Sequence, residues 1–223
     1  MPIFDQVLAN EGAELLRGLG RTIAISTIGI CFGGLIGAFF GALRYAGLPL
    51  LSQTIGGYVH LFRCTPLLVQ IVLIFYALPD IGIRLSAFES SWIALAIWGG
   101  AYQTEVFRAA FSAVPKAEIL AARALGMPAF RTFLDITLPI GLRYAIPAAT
   151  TTAITQFRSS SFMVVIGYTE LTYVANRIVS ESFKVFEVFG IASLIYLAGS
   201  FLMSFASRRL ENAVHIPGIG VVK

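Results

Sequence analysis

Three groups of polar side chains interrupt otherwise apolar runs of this 223-residue chain, and any chemistry is expected there. The first is Arg63 with Thr65. The second is Tyr102, Gln103, Thr104, Glu105 and Arg108. The third runs through Thr150, Thr151, Thr152, Thr155, Gln156, Arg158, Ser159, Ser160 and Ser161. Polar groups at membrane depth are costly and must face other helices or water. Glu105 is expected to pair with Arg158 or Arg63, which gives one reading: a structural ion pair. The other reading is that Arg63, Thr65, Glu105, Gln156, Arg158, Ser159, Ser160 and Ser161 border a path for a small polar solute. An arginine there would attract a carboxylate through paired hydrogen bonds. Hydroxyls and unwound backbone would meet an ammonium group.

Other chemistries find little support. His60 and His215 are far apart and have no ligand spacing around them, so a metal site is not expected. The chain has no glycine-rich phosphate loop ending in Gly-Lys-Ser/Thr, so it is not expected to bind ATP. Cys31 and Cys64 lie in apolar runs and read as free thiols.

A different kind of site is expected in Pro115–Pro139, the longest stretch without a membrane-length apolar run. Pro115 suits a first helical turn, and Glu118 sits near the positive end of the helix dipole. Gly126 provides a left-handed stop, and Pro128 prevents continuation. Ala121, Ala122 and Ala124 would let another protein's backbone approach, Leu120 and Leu125 would fill a pocket in it, and Arg123 and Arg131 would hold the segment at a polar surface. The pattern is that of a docking element.

The positioning elements follow from composition. The chain is 57% hydrophobic and 13% charged, with a mean hydropathy of +0.81. Soluble domains carry roughly 25% charged residues, so an integral membrane protein is expected, with an all-α fold in a single transmembrane domain over 1–223. The formal charge of +4 fits membrane orientation better than nucleic acid. Five spans are expected, at about 22–43, 55–78, 92–113, 136–166 and 188–207, since a bilayer needs roughly 20 mainly apolar residues per spanning helix. Pro66 should kink or break the second. Gly33, Gly37 and Gly41 in the first suit close packing within the chain. Residues 1–20 are expected to form an amphipathic segment on the membrane surface, without a cleavable signal. The cytoplasmic loop covers about 115–135. Arg44, Lys116, Arg123, Arg131, Arg208, Arg209 and Lys223 place that loop and the C-terminus in the cytoplasm and the N-terminus outside.

These residues also carry a family resemblance. Ala121-Ala122, Gly126 and Ile136-x-Leu138-Pro139 resemble the EAA loop of the membrane subunits of bacterial ABC importers. Tyr58-x-x-x-Phe62-Arg63-x-Thr65-Pro66-Leu67-Leu68-x-Gln70 resembles the second-span signature of the polar amino acid permeases, of the histidine/glutamine/arginine type. Ala101-Tyr102-x-x-Glu105-x-Phe107-Arg108 is similar to their third span. Glu170-Leu171, Ile195-Tyr196-Leu197 and Arg208-Arg209-Leu210-Glu211 also match.

The resemblance implies a type I ABC importer permease with a five-helix core, in the bacterial inner membrane. Glu118, Leu120, Ala121, Ala122, Leu125 and Gly126 would form the coupling helix in a cleft of an ATP-binding cassette dimer. ATP and Mg would be bound by that partner and no cofactor by this chain. A second membrane subunit and an extracytoplasmic substrate-binding protein would complete the assembly. Leu120 stands at the motif glutamate, Ser159 at a usual aspartate and Thr151 at a usual asparagine. These departures make basic cargo less expected and suggest one half of an unequal pair. The alternative is an ATP-independent carrier or channel with Glu105 as its ion or proton site.

Overall fold

The computed structural model describes the backbone of residues 3–214 and the side chains of 11–213. His215 and Lys223 lie outside the described residues, as does part of the 1–20 segment. All regular elements among the described residues are helical.

α1 (Ile3–Tyr45) is one unbroken helix, so residues 1–20 do not form a separate element. Their described part is the start of α1, because nothing between Gly18 and Thr22 ends the helix. Over Glu11–Tyr45 it extends about 52 Å at about 1.5 Å per residue, well beyond a hydrocarbon core of about 30 Å. Its glycines allow a close parallel contact with α4 (Ala87–Ser112). A Cβ added at Gly29, Gly37 or Gly41 would lie 2.7, 2.2 or 2.8 Å from the Cβ of Leu95, Gln103 or Phe107. The glycine stripe thus packs within the chain. Ser86 and Glu89 form a capping box at the start of α4, satisfying helix donors that would otherwise lack partners.

The second expected span is two helices rather than one. α2 (Pro49–Cys64) and α3 (Leu67–Val72) meet at a 102° bend between Pro49–Cys64 and Leu67–Ile81. Pro66 supplies no N–H to the Phe62 carbonyl, and Thr65 is extended. The Gln70 amide takes over, donating to Phe62 O at 2.8 Å and Thr65 O at 2.9 Å. α3 continues as a wide turn over Leu73–Ala77 and a 3₁₀ turn over Leu78–Ile81.

α5 (Lys116–Ala124) and α6 (Ala129–Thr132) follow α4. A wide turn over Phe133–Thr137 leads into α7 (Leu138–Ser159), which tightens to 3₁₀ over Ser160–Ile166. Both wide turns precede a proline by the same step. Leu78 N bonds Leu73 O before Pro79, and Leu138 N bonds Phe133 O before Pro139. α8 (Leu171–Ser182) fills a stretch where no element is expected, and α9 (Val185–Val214) completes the chain.

α7 runs antiparallel to α4: Gly141 packs on Phe111, and the Gln103 amide donates to Ala149 O at 3.0 Å. α9 runs antiparallel to α7, with Gly199 against Phe157 and Ser207 bonded to Thr150. Among the described residues two helices, Glu11–Tyr45 and Val185–Ala213, are long and apolar enough to cross a membrane, and the bent pair could make a third. α4 and α7 carry polar side chains such as Gln103, Thr104 and Gln156 on buried faces, which makes them less apolar than helices that meet lipid.

Candidate functional site: a docking helix and a polar intramembrane cluster

α5 stands at the end of the bundle where α1 and α4 finish. Beside it three rings pack together: Tyr45 at the end of α1 lies 6.1 Å from Phe111 of α4 and 5.9 Å from Phe133 in the wide turn after α6, and Phe111 meets Phe133 edge-on at 5.6 Å. Pro115 is the residue before the helix rather than in its first turn. Gly126 adopts φ +82, a left-handed conformation that suits glycine. Gly126 N donates to Arg123 O at 2.9 Å and Met127 N to Ala122 O at 3.1 Å, the paired bonds of a Schellman stop.

The structure divides the six expected docking residues. Glu118, Leu120, Ala121, Leu125 and Gly126 are exposed, with Leu120 at 64% and Leu125 at 85%. Ala122 is buried, so it seats the helix on its own chain instead of offering a surface to another.

The polar membrane residues separate into three settings. Glu105 pairs with Arg44 and Arg108, neither of which is the expected partner. Arg108 Nε and Nη2 lie 2.9 and 2.8 Å from one carboxylate oxygen, and Arg44 engages the other. The parallel packing of α1 and α4 brings Arg44 there, while Arg63 lies over the Tyr102 ring at 4.9 Å. Both carboxylate oxygens are thus engaged by guanidinium groups.

Gln156 is fully buried and is not open to a path. Its amide donates to Leu95 O at 3.0 Å and Gly29 O at 3.3 Å, tying α7 to α4 and α1. Gly99 leaves room for it, since a Cβ there would lie 2.0 Å from Gln156 Nε2. Thr65 does not offer free unwound backbone, because its carbonyl accepts from Gln70. Ser160 is buried and donates to Phe157 O at 2.6 Å. Ser159 and Ser161 are half-buried, and Arg158 is exposed. The structure thus brings Glu105 to arginines, commits Gln156 and Ser160 to the bundle, and leaves Arg63, Arg158, Ser159 and Ser161 accessible.

Sequence reasoning did not single out Arg44, Gln70 or Tyr45 for these roles. Gln70 had a usable signal, as an amide four residues after a proline that leaves a carbonyl without its donor.

A helical bundle with a short exposed helix set between two of its long packed helices fits an importer's membrane subunit. The chain belongs to the family of binding-protein-dependent transport system inner membrane components, whose model matches residues 29–216. It is thus an ABC importer permease, a transport subunit distinct from the ATPase. It is 35% identical over 202 residues to a probable glutamine ABC transporter permease of Bacillus subtilis, covering 89% of this chain and 93% of that one. It is 32% identical over 210 residues to a nopaline transport system permease of Agrobacterium fabrum, covering 89% and 87%. Among solved structures, an amino acid ABC transporter crystallised with histidines superposes with a TM-score of 0.87 at 28% identity, covering 96% of this chain and all of that one. The MetNI methionine transporter in an inward-facing form shares the fold, with a TM-score of 0.77 at 23% identity and coverage of 91% and 96%.

Proposed function

We propose that this chain is the gate-forming membrane subunit of an ATP-driven importer for polar amino acids or closely related solutes. The observation that carries the reading is α5: a short helix ended by a Schellman stop at Gly126, seated on its own chain through Ala122, with Leu120 and Leu125 exposed. It docks into a cleft of an ATP-binding cassette dimer through Glu118, Leu120, Ala121, Leu125 and Gly126. The antiparallel order of α4, α7 and α9 supports five crossings, with the bent α2–α3 pair as the second. It also supports an N-terminus outside and a C-terminus in the cytoplasm.

The exposed face of α7 supports a second membrane subunit. Thr151 and Arg158 are exposed and Thr155 is half-buried. Thr151 and Thr155 satisfy their hydroxyls on their own helix, at 3.0 and 2.9 Å. Such a face suits a water-lined path between two subunits better than lipid. Ser159 and Thr151, where relatives of the polar amino acid type usually carry aspartate and asparagine, favour neutral cargo and a non-identical partner. A binding protein delivers that cargo from outside.

The test is the assembled complex in liposomes, with ATP hydrolysis screened across the amino acids. Gly126→Val forces a β-branched residue into a left-handed conformation. It should abolish ATP-driven uptake while the chain still inserts in the membrane. Full uptake by that variant would refute docking through α5.

A further inference from the structure

Glu170 is fully buried and no ion pair reaches it among the described residues. Three donors use its carboxylate: Thr172 N, Tyr173 N and the Tyr196 hydroxyl, each at 2.8 Å. The first two bonds cap α8. The third leaves α8 for α9, and Thr172 Oγ1 lies 3.1 Å from the same Tyr196 oxygen.

The contacts continue beyond Tyr196. Its ring meets Phe157 edge-on, with centroids 5.6 Å apart. Gly199, one turn further along α9, admits that phenylalanine: a Cβ there would lie 2.7 Å from Phe157 Cζ. Phe157 O accepts the Ser160 hydroxyl where α7 tightens into its 3₁₀ turn. The start of α8 is held from the other side too, since Leu171 N donates to Thr22 Oγ1 at 3.1 Å and Gly18 lets α1 approach the Leu171 backbone.

We propose that Glu170 and Tyr196 are a positioning pair that fixes α8 to the distal end of α7 and so sets the conformation of the Arg158–Ser161 segment during transport. The proposal rests on the reading that Arg158, Ser159 and Ser161 border the path. A cap alone would need only the two backbone bonds. The tyrosine bond adds nothing to α8's own donors; it joins three helices at the place where α7 changes its winding.

Two substitutions separate the link from the cap. Tyr196→Phe keeps both backbone bonds and the ring contact but removes the link. Glu170→Gln, with its oxygen toward Thr172 N and Tyr196, keeps the link but turns an amide N–H toward Tyr173 N and weakens the cap. The measurement is the distance between spin labels at Phe162→Cys and Ser180→Cys in the assembled complex, with Cys31 and Cys64 replaced by serine. It is taken without nucleotide and with ADP-vanadate, and needs no cargo. Losing a hydrogen bond to a charged group shifts a two-state ratio by about tenfold or more.

Tyr196→Phe should therefore raise the minor distance population about tenfold and alter basal ATP hydrolysis. Glu170→Gln should melt lower but keep the parent's distances. An unchanged distance distribution in Tyr196→Phe would overturn the proposal. So would loss of assembly in both variants, which would assign the pair to folding. Arg158→Ala tests the path reading separately: unimpaired uptake there refutes the path without altering the distance result.

Discussion

Replacing Gln70 by leucine isolates the energetics of the α2–α3 bend. The Phe62 carbonyl would receive the N–H of residue 66 in an uninterrupted helix, and proline has none. The Thr65 carbonyl lies at the break itself. Both accept from the one Gln70 amide, a side chain 4% exposed. Removing the amide leaves two acceptors without that donor, at roughly 1–3 kcal/mol each where water cannot reach. Leucine recovers part of this by apolar burial, roughly 1.5–3 kcal/mol for a full side chain. It also removes Gln70 Oε1, which is buried and has no partner. The net cost is about 2 kcal/mol, which for a domain of this size lowers the melting temperature by about 4–8 °C. Thermal unfolding of the detergent-solubilised complex measures it. In a Pro66→Ala background residue 66 regains an N–H, so the same Gln70→Leu change should cost less, with a coupling of about 1 kcal/mol or more. A Gln70→Leu protein that melts with the parent in both backgrounds would refute the account.

Gly37→Leu should prevent assembly, because even a Cβ at that position lies 2.2 Å from Gln103 Cβ. Gly34→Ala has nothing within 4 Å and should be neutral or raise the melting temperature slightly. Glu105→Gln leaves Arg44 and Arg108 facing each other without their carboxylate; it should cost about 1–3 kcal/mol, while ATP-driven uptake by the parent should show no dependence on a proton gradient. Ser86→Ala should cost about 1 kcal/mol through loss of the α4 cap, read by thermal unfolding at neutral pH. The Ser86 backbone N–H, then its hydroxyl, hold the Glu89 carboxyl below its ordinary range. That contribution is fully present above the unfolded glutamate value of about 4.3 and is lost as pH falls through the lower folded value. The Ser86→Ala deficit should therefore shrink in acid, and a deficit constant from pH 7 to pH 3 would count against the capping box.

The helical class and the short helix α5 with its glycine stop were legible because each rests on local chemistry. Low charge and long apolar runs report the solvent, and Gly126 reports its own backbone angle. The break at Pro66 was legible for the same reason. Its 102° size was not, because the angle depends on where Gln70 finds its acceptors. α8 escaped notice because its buried residues, Leu171, Val174, Ala175 and Ile178, are few and follow the helical 3–4 spacing over only three turns. The continuity of residues 3–20 with the rest of α1 was hidden by Arg17 and Arg21, which look interfacial yet sit on a helix nothing interrupts.

The site was legible by residue type but not by pairing, and the glycines explain the difference. Whether Glu105 meets Arg63, Arg158 or Arg44 depends on which helix lies beside α4 and in which direction. A parallel α1 fits against it because Gly29, Gly33, Gly37 and Gly41 remove the side chains that would hold the backbones apart. That register carries Arg44 to Glu105. It leaves Gln156 between Gly33 and Gly99, with hydrogen bonds to α1 and α4. Spacing in the sequence marks those glycines as a packing face, but not which face they meet. The polar residues of the three groups that stay accessible include those left over once the glycine-set register has consumed its partners: Arg63 against Tyr102, and Arg158 with Ser159 and Ser161 at the end of α7.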